Sequence, residues 1–360
     1  MAESSSETIT QHSGVVGRSV SVHILRDPRR WLADGRYELR ERIGCGGSGA
    51  VFRAVDHAPP CSREVCIKRI FGHLGPDDVR ALREEGRLLA SVRHANVVSL
   101  LAVGDDYDGP YLVLELIEGC DLRALSRSQS TTHDTAGYLP DRLSVHVACA
   151  VLRALGAVAR ALPGLVHRDV TPHNILVSTE GEVKLMDFGI ALARDRARWT
   201  RPALIKGKFG YMSPEQVRGD ALDVTTDLFA AGVVLYELLT RARPWGDRPG
   251  MSELLRIERG EMTPLAAVRP KIHGDLQHVV HRLLGHDARN RYASPDDALR
   301  ALAPFGAGEL GPLRLAPYVL AGPRMGSTPS HMDPHPSPRN FIDSLASVTR
   351  AENAKLGRQL

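Results

Sequence analysis

The sequence predicts an α+β chain folded in two lobes. Two patterns predict it. Between residues 36 and 116, short apolar alternations are separated by turn residues, with one amphipathic helix among them, and beyond Glu118 the apolar period becomes helical. The composition agrees: 43% of the 360 residues are hydrophobic and 24% charged, ordinary values for a globular chain that exclude wholesale disorder, a fibre or a disulfide miniprotein.

Residues 1–35 open with a Ser/Thr/Glu tract, after which Val20, Val22 and Ile24 alternate with polar residues as in a short strand. Segments 37–43, 50–55 and 64–70 read as strands. Segment 77–92 reads as a helix: Val79, Leu82, Leu88 and Leu89 form its apolar stripe, and Asp77 and Asp78 complement the positive end of its dipole. Strands follow at 97–104 and 110–116, then a Ser/Thr/Gly-rich loop at 126–140. Helices are expected at 142–162, at 228–240 (apolar all round, hence buried), and at 253–259, 276–284 and 296–303. From 305 a tail begins. Pro323, Pro329, Pro334, Pro336 and Pro338 make 322–339 extended, and Phe341, Leu345 and Val348 recur at helical spacing in a short segment, 341–356.

Several classes of function are disfavoured early. A net charge of +4 spread over this length does not point to nucleic acid. The apolar stretch 228–239 contains Glu237 and is too short for a bilayer, which needs about twenty residues. Met1–Thr10 is polar and acidic, unlike a signal peptide. Cys45, Cys61, Cys66, Cys120 and Cys149 are too scattered for a disulfide framework or a zinc site, so a reduced, cytoplasmic chain is expected. Only six of the 46 basic residues are lysines, so a lysine at a special position is informative.

Seven features carry chemistry. In Gly44-Cys45-Gly46-Gly47-Ser48-Gly49, glycines let a strand–turn–strand backbone lie close over phosphates, although alone the run also suits a plain hairpin. A strand follows it, which disfavours a dinucleotide site. Lys68 ends a buried alternation, yet suits a surface strand as well. Glu84 and Glu85 lie on a helix and alone mark only a solvated face. His167-Arg168-Asp169-Val170-Thr171-Pro172-His173-Asn174 sets a carboxylate and an amide five residues apart on a loop, as a proton acceptor and a metal ligand around one phosphate would be. Met186-Asp187-Phe188-Gly189 puts a carboxylate on a turn, suited to Mg²⁺. Ser213-Pro214-Glu215 and Asp227 complete the set.

In this order and spacing the features resemble the signature set of the protein kinase superfamily, over residues 36–303. The likeness is to bacterial Ser/Thr protein kinases of the eukaryotic type, and the wording around Val170–Asn174 and Gly207–Gln216 is similar to a myxobacterial group. The resemblance implies a bilobal kinase fold: a kinase domain at 36–304, with a β-rich N-lobe at 36–117 and a helical C-lobe at 118–304, between an N-terminal extension (1–35) and the 305–360 tail. It implies ATP with Mg²⁺ (or Mn²⁺), and protein substrates. Ile43, Gly44, Gly46, Gly47 and Gly49 would cover the nucleotide, and Lys68 would hold its α- and β-phosphates, paired with Glu85, nine residues before His94. Val51 and Cys66 above and Leu176 below would sandwich adenine, Leu114 would be the gatekeeper, Glu115 and Ile117 would bond adenine through their backbones, and Asp121 would reach the ribose. Asp169 would accept the substrate proton, and Asn174 and Asp187 would hold the metal. Asp227 would hold the His167–Arg168 backbone, and Glu215 would pair with Arg291. Small-molecule phosphotransferases share the Asp-to-Asn loop but lack the Ser-Pro-Glu segment with its distant Arg, which favours a protein substrate. A nucleotide-binding pseudokinase scaffold is the competing class.

The sequence departs from the family in two linked places. Thr171 stands where most Ser/Thr kinases have Lys, and Lys208 follows Gly207 where most have Thr. An exchange of roles is expected, with Lys208 supplying the cation near the γ-phosphate and Thr171 the hydroxyl. Thr200 is the only Ser or Thr between Gly189 and Gly207, and a phosphate there would find Arg168. Regulatory input is expected through a partner protein at the tail or N-terminal segment, or through autophosphorylation between molecules, with no nucleic acid and no membrane insertion.

Overall fold

The computed structural model describes residues 30–45, 49–70, 75–107, 109–128, 139–187, 209–246 and 250–321. The strand expected near residues 20–24, the tail beyond 321, Thr200 and Lys208 all lie outside the described residues.

Strands β1 (Trp31–Leu32), β2 (Tyr37–Cys45), β3 (Gly49–Asp56), β4 (Arg63–Ile70), β5 (Leu100–Asp106) and β6 (Gly109–Glu115) form one antiparallel sheet in the order β1-β2-β3-β4-β6-β5. On β6, Tyr111 and Val113 enter one apolar cluster and Leu112 and Leu114 another, so this strand is buried on both faces. Helix α1 (Pro76–Ser91) has Pro76 in its first turn beside Asp77 and Asp78, and buries Leu82, Glu85, Gly86 and Leu89 along one side. A Cβ on Gly86 would stand 2.8 Å from the Leu112 side chain, so a larger residue there would have to push that side chain aside.

A second antiparallel sheet, β7 (Gly119–Asp121), β8 (Ile175–Ser178) and β9 (Val183–Leu185), opens the helical lobe. Its helices are α2 (Leu122–Ser128), α3 (Asp141–Ala161), α4 (Pro214–Arg218), α5 (Val224–Thr240), α6 (Met251–Arg259), α7 (Leu265–Val268), α8 (Gly274–Leu283), α9 (Pro295–Leu302) and α10 (Gly311–Leu320). Helix α5 is capped by Asp223, which accepts from Thr225 N, and is buried on every side from Thr226 to Thr240, as its uniform apolarity requires. Among the described residues α3 alone is long and apolar enough to cross a membrane, but 78% of that stretch is buried inside the lobe, as in a core helix.

Two expectations need correction. The strand expected at 97–104 begins at Leu100, because 96–98 bonds β9 instead: Asn96 O accepts from Leu185 N (2.8 Å) and Val98 N donates to Leu185 O (3.0 Å). Residues 305–321, expected to belong to a tail, build onto the C-lobe. Leu315 and Val319, one helical turn apart on α10, are buried in the main apolar cluster. Pro312 lies in the first turn of α10, where proline fits, and Pro317 lies inside it.

Candidate active site

The sheet register sets Val51 opposite Lys68 and Cys66 opposite Leu114. Opposed residues share a face, so these four look toward the helical lobe together. Leu114, Ile117 and Leu176 are buried in one cluster against which Cys66 packs, and that cluster spans the cleft between the lobes. Burial, and after it the Asp187 carboxylate, push the Cys66 thiol up to about 12, which keeps it protonated. Glu115 donates its N–H to Ser99 O at 3.0 Å, so a bond from Glu115 to a base would use its carbonyl. Asp121 Oδ1 accepts from Ala124 N at 2.6 Å and caps α2, with its other oxygen 3.7 Å from His173 Nδ1.

Ile43 and Gly44 lie on β2, and Gly49 opens β3; Gly46 and Gly47 lie outside the described residues. The glycines serve different ends. A Cβ on Gly49 would fall 2.0 Å from Arg69 O, so β3–β4 pairing alone demands glycine there. A Cβ on Gly44 would meet only Val51, at 3.4 Å.

Lys68 Nζ lies 2.7 and 2.9 Å from the two Glu85 oxygens and 2.6 Å from Asp187 Oδ1. Burial opposes its charge, but the two carboxylates win and Lys68 stays protonated. Burial pushes Glu85 up to about 7, with Asp187 adding to the push and Lys68 pulling against it.

Across the cleft, Asn174 Nδ2 donates to Asp169 O and Asp169 Oδ2, both at 2.8 Å, fixing that carboxylate. His167 joins the neighbouring segments: Nε2 lies 3.2 Å from Met186 O, and Nδ1 accepts from Asp169 N at 3.4 Å. Arg168 (φ 68°) and Asp187 (φ 55°) both sit in the left-handed region, costly for side chains of this size. The backbone at Arg168 is held by Asp227, whose oxygens accept from His167 N (2.7 Å) and Arg168 N (2.8 Å), and by Gln216 Nε2 on Arg168 O (3.2 Å). Burial pushes Asp227 up to about 7 against those two N–H groups.

Glu215 and Arg291 meet as a two-pronged buried pair at 2.6 and 2.8 Å, and Thr226 and the Thr225 and Gly285 carbonyls satisfy the remaining groups. Burial alone would raise Glu215; the Arg291 guanidinium holds it below the usual carboxylate range. Thr171 Oγ1 is buried without a partner among the described residues.

Sequence reasoning missed three contributors. Gln216 caps α4 reciprocally with Ser213 while holding Arg168. Glu237 on α5 accepts from Arg123 Nη1 (2.7 Å) and from the Tyr211 hydroxyl, tying α2 to the segment before α4. Lys184 reaches Glu115 at 3.0 Å. Its rarity as a lysine was the one available signal.

Among the described residues no three His, Cys, Asp or Glu side chains gather as a metal site. Asn174 and Asp187 nonetheless fit Mg²⁺, which takes one or two protein ligands and completes its shell with water and phosphate oxygens. The Asn174 amide nitrogen is committed to Asp169, which leaves its Oδ1 as the ligating atom.

The protein kinase domain model matches residues 37–301. The tyrosine-protein kinase MasK of Myxococcus xanthus is 34% identical over 287 residues, covering 75% of this chain and 43% of MasK. A probable serine/threonine-protein kinase of Streptomyces coelicolor is 34% identical, over 76% of this chain and 40% of that protein. The serine/threonine-protein kinase PknL of Mycobacterium tuberculosis is 34% identical over 74% of this chain and 65% of PknL. The chain thus spans less than half the length of the first two. The solved PknI kinase domain of M. tuberculosis superposes with a TM-score of 0.56 at 21% identity, over 75% of this chain and 95% of that one, a likeness of fold.

Proposed function

The chain belongs to the protein kinase family, and from that premise we propose that it transfers the γ-phosphate of ATP to serine or threonine hydroxyls of proteins, its own chain included. The observation that carries this reading is the contact of Lys68 with both Glu85 and Asp187, with Asp169 fixed by Asn174 across the same cleft. Phosphoryl transfer asks a protein mainly for positioning and charge neutralisation. Lys68 holds the α- and β-phosphates; Glu85 holds Lys68. Asp169 takes the proton of the attacking hydroxyl. Asn174 and Asp187 hold Mg²⁺, which neutralises phosphate charge when bound. Val51, Cys66, Leu114, Ile117 and Leu176 enclose the base, Glu115 and Ile117 offer it backbone bonds, Asp121 serves the ribose, and Ile43, Gly44, Gly46, Gly47 and Gly49 cover the phosphates.

The buried Thr171 hydroxyl, without a partner among the described residues, supports the exchange in which Lys208 brings the cation and Thr171 the hydroxyl beside Asp169. Thr200 is the activating phosphosite, read by Arg168. A cytoplasmic enzyme with a regulatory partner at its tail or N-terminal segment completes the proposal. Pro172 beside Thr171, and relatives such as PknL, favour Ser/Thr acceptors; MasK makes tyrosine the class to exclude. Peptide acceptors that differ only in Ser, Thr or Tyr, incubated with labelled ATP and Mg²⁺, decide it. Label on Ser and Thr peptides is expected. Label confined to Tyr overturns the acceptor assignment, and nucleotide binding without label on any acceptor or on the chain favours the scaffold.

A further inference from the structure

Lys184 has no role in the reading above, yet it is a nearly buried cation at the boundary of the lobes, with its side chain 10% exposed. It lies on β9, three residues before Asp187, and pairs across the ladder with Leu176, the floor of the base pocket. Paired residues share a face, so Lys184 rises beside Leu176. Its Nζ meets Glu115 Oε1 at 3.0 Å. The same oxygen accepts from Ser99 N at 2.7 Å, while Glu115 N donates to Ser99 O at 3.0 Å. Among the described residues Glu115 is the ion-pair partner of Lys184. The strand that ends the N-lobe sheet is therefore gripped from two sides, by the 96–99 segment and by the C-lobe strand leading to Asp187.

We propose that Lys184 is a positioning residue for the nucleotide: through the Glu115 carboxylate it sets the Glu115–Ile117 backbone at a fixed height above Leu176, so that base affinity depends on it. Lys184 itself touches no substrate. The proposal rests on the phosphotransferase reading and adds a residue to it. A hinge backbone that the ion pair does not hold must be ordered when the base binds, a cost equivalent to about a tenfold loss of affinity.

The test is ADP–Mg²⁺ binding by calorimetry, together with steady-state KM for ATP and for an acceptor peptide. Lys184→Met is expected to weaken ADP binding and raise the KM for ATP about tenfold, leaving the peptide KM unchanged and kcat within about twofold. Lys184→Arg should restore most of the loss. Glu115→Gln should resemble Lys184→Met, and the double variant should be no worse than either single. Glu115→Gln also serves if Lys184→Met fails to fold. Unchanged nucleotide affinity in the folded variants overturns the proposal, as do additive single effects, or a change in kcat with KM constant. Wild-type protein that binds no nucleotide overturns the phosphotransferase reading itself, a result distinct from variants that bind as well as wild type.

Discussion

Lys68 is shared by two carboxylates, and at the residue scale that sharing has a consequence in pH. Glu85 moves from an ordinary 4.5 to about 7 because burial, then the neighbouring Asp187 charge, disfavour its ionised form. A carboxyl raised in the fold stabilises the fold through its protonated form. That contribution is complete below pH 4.5 and is lost as the pH rises through about 7. Glu85→Gln removes the titration. The stability of wild type relative to Glu85→Gln, from urea unfolding without nucleotide, should therefore fall between pH 4.5 and 7 and level off above. A difference that rises with pH would show that Lys68 controls Glu85 instead. At this scale the sequence was legible where chemistry dictates residue type, at Lys68, Asp169 and Asn174. It was less legible where one residue type answers several needs. Gly49 is demanded by the Arg69 carbonyl before any phosphate arrives, and Asp121 caps a helix. Lys184 reads as an ordinary strand lysine until β9 is placed beneath Glu115.

Elements are held in place by a few buried polar ties. Asp227, in the first turn of α5, reaches out of the core to fix the consecutive N–H groups of His167 and Arg168, and this lets Arg168 keep its left-handed backbone. Glu215 on α4 is tied to Arg291, just before α9, by parallel bonds, with the Arg291 side chain fully buried and that of Glu215 nearly so. Removing one partner strands the other charge in the interior. Arg291→Ala should cost about 3–5 kcal/mol in urea unfolding, and Arg291→Lys should recover little, since one ammonium cannot bond Glu215 and also reach the Thr225 and Gly285 carbonyls that the guanidinium fork satisfies. A loss under about 1 kcal/mol would place Glu215 in contact with water. The element order was legible because α1 and α3 are long and strongly patterned, and α5 is long and apolar all round. Helix α10 was not. Ten residues with prolines at 312 and 317 read as a tail, and only its packing on α3 and β8, through Leu315 and Val319, makes it part of the lobe.

On the scale of the whole molecule, each lobe carries half of a site that neither completes alone. Lys68 and Glu85 come from the sheet and α1, while Asp169, Asn174 and Asp187 come from the loop and small sheet at the top of the helical lobe. Those groups are separated by up to 119 positions and meet within hydrogen-bond reach, as Lys68 and Asp187 do. Two ionic ties also cross the boundary between lobes, Lys184 to Glu115 and Arg53 to Glu118, at either end of the connecting segment. The lobes were legible as a change of period near Glu118; how they are fastened depends on side-chain reach, which no sequence pattern encodes. On the proposed function, this shared cleft transfers phosphate with Asp169 as proton acceptor. The most direct measurement is label incorporation from ATP with Mg²⁺ by wild type and by Asp169→Asn, with ADP binding followed in parallel. Wild type should label itself or an acceptor, and Asp169→Asn should bind ADP as well yet transfer about 10²–10⁴-fold more slowly. Equal labelling by the two proteins, or none by wild type that binds ADP, would contradict it.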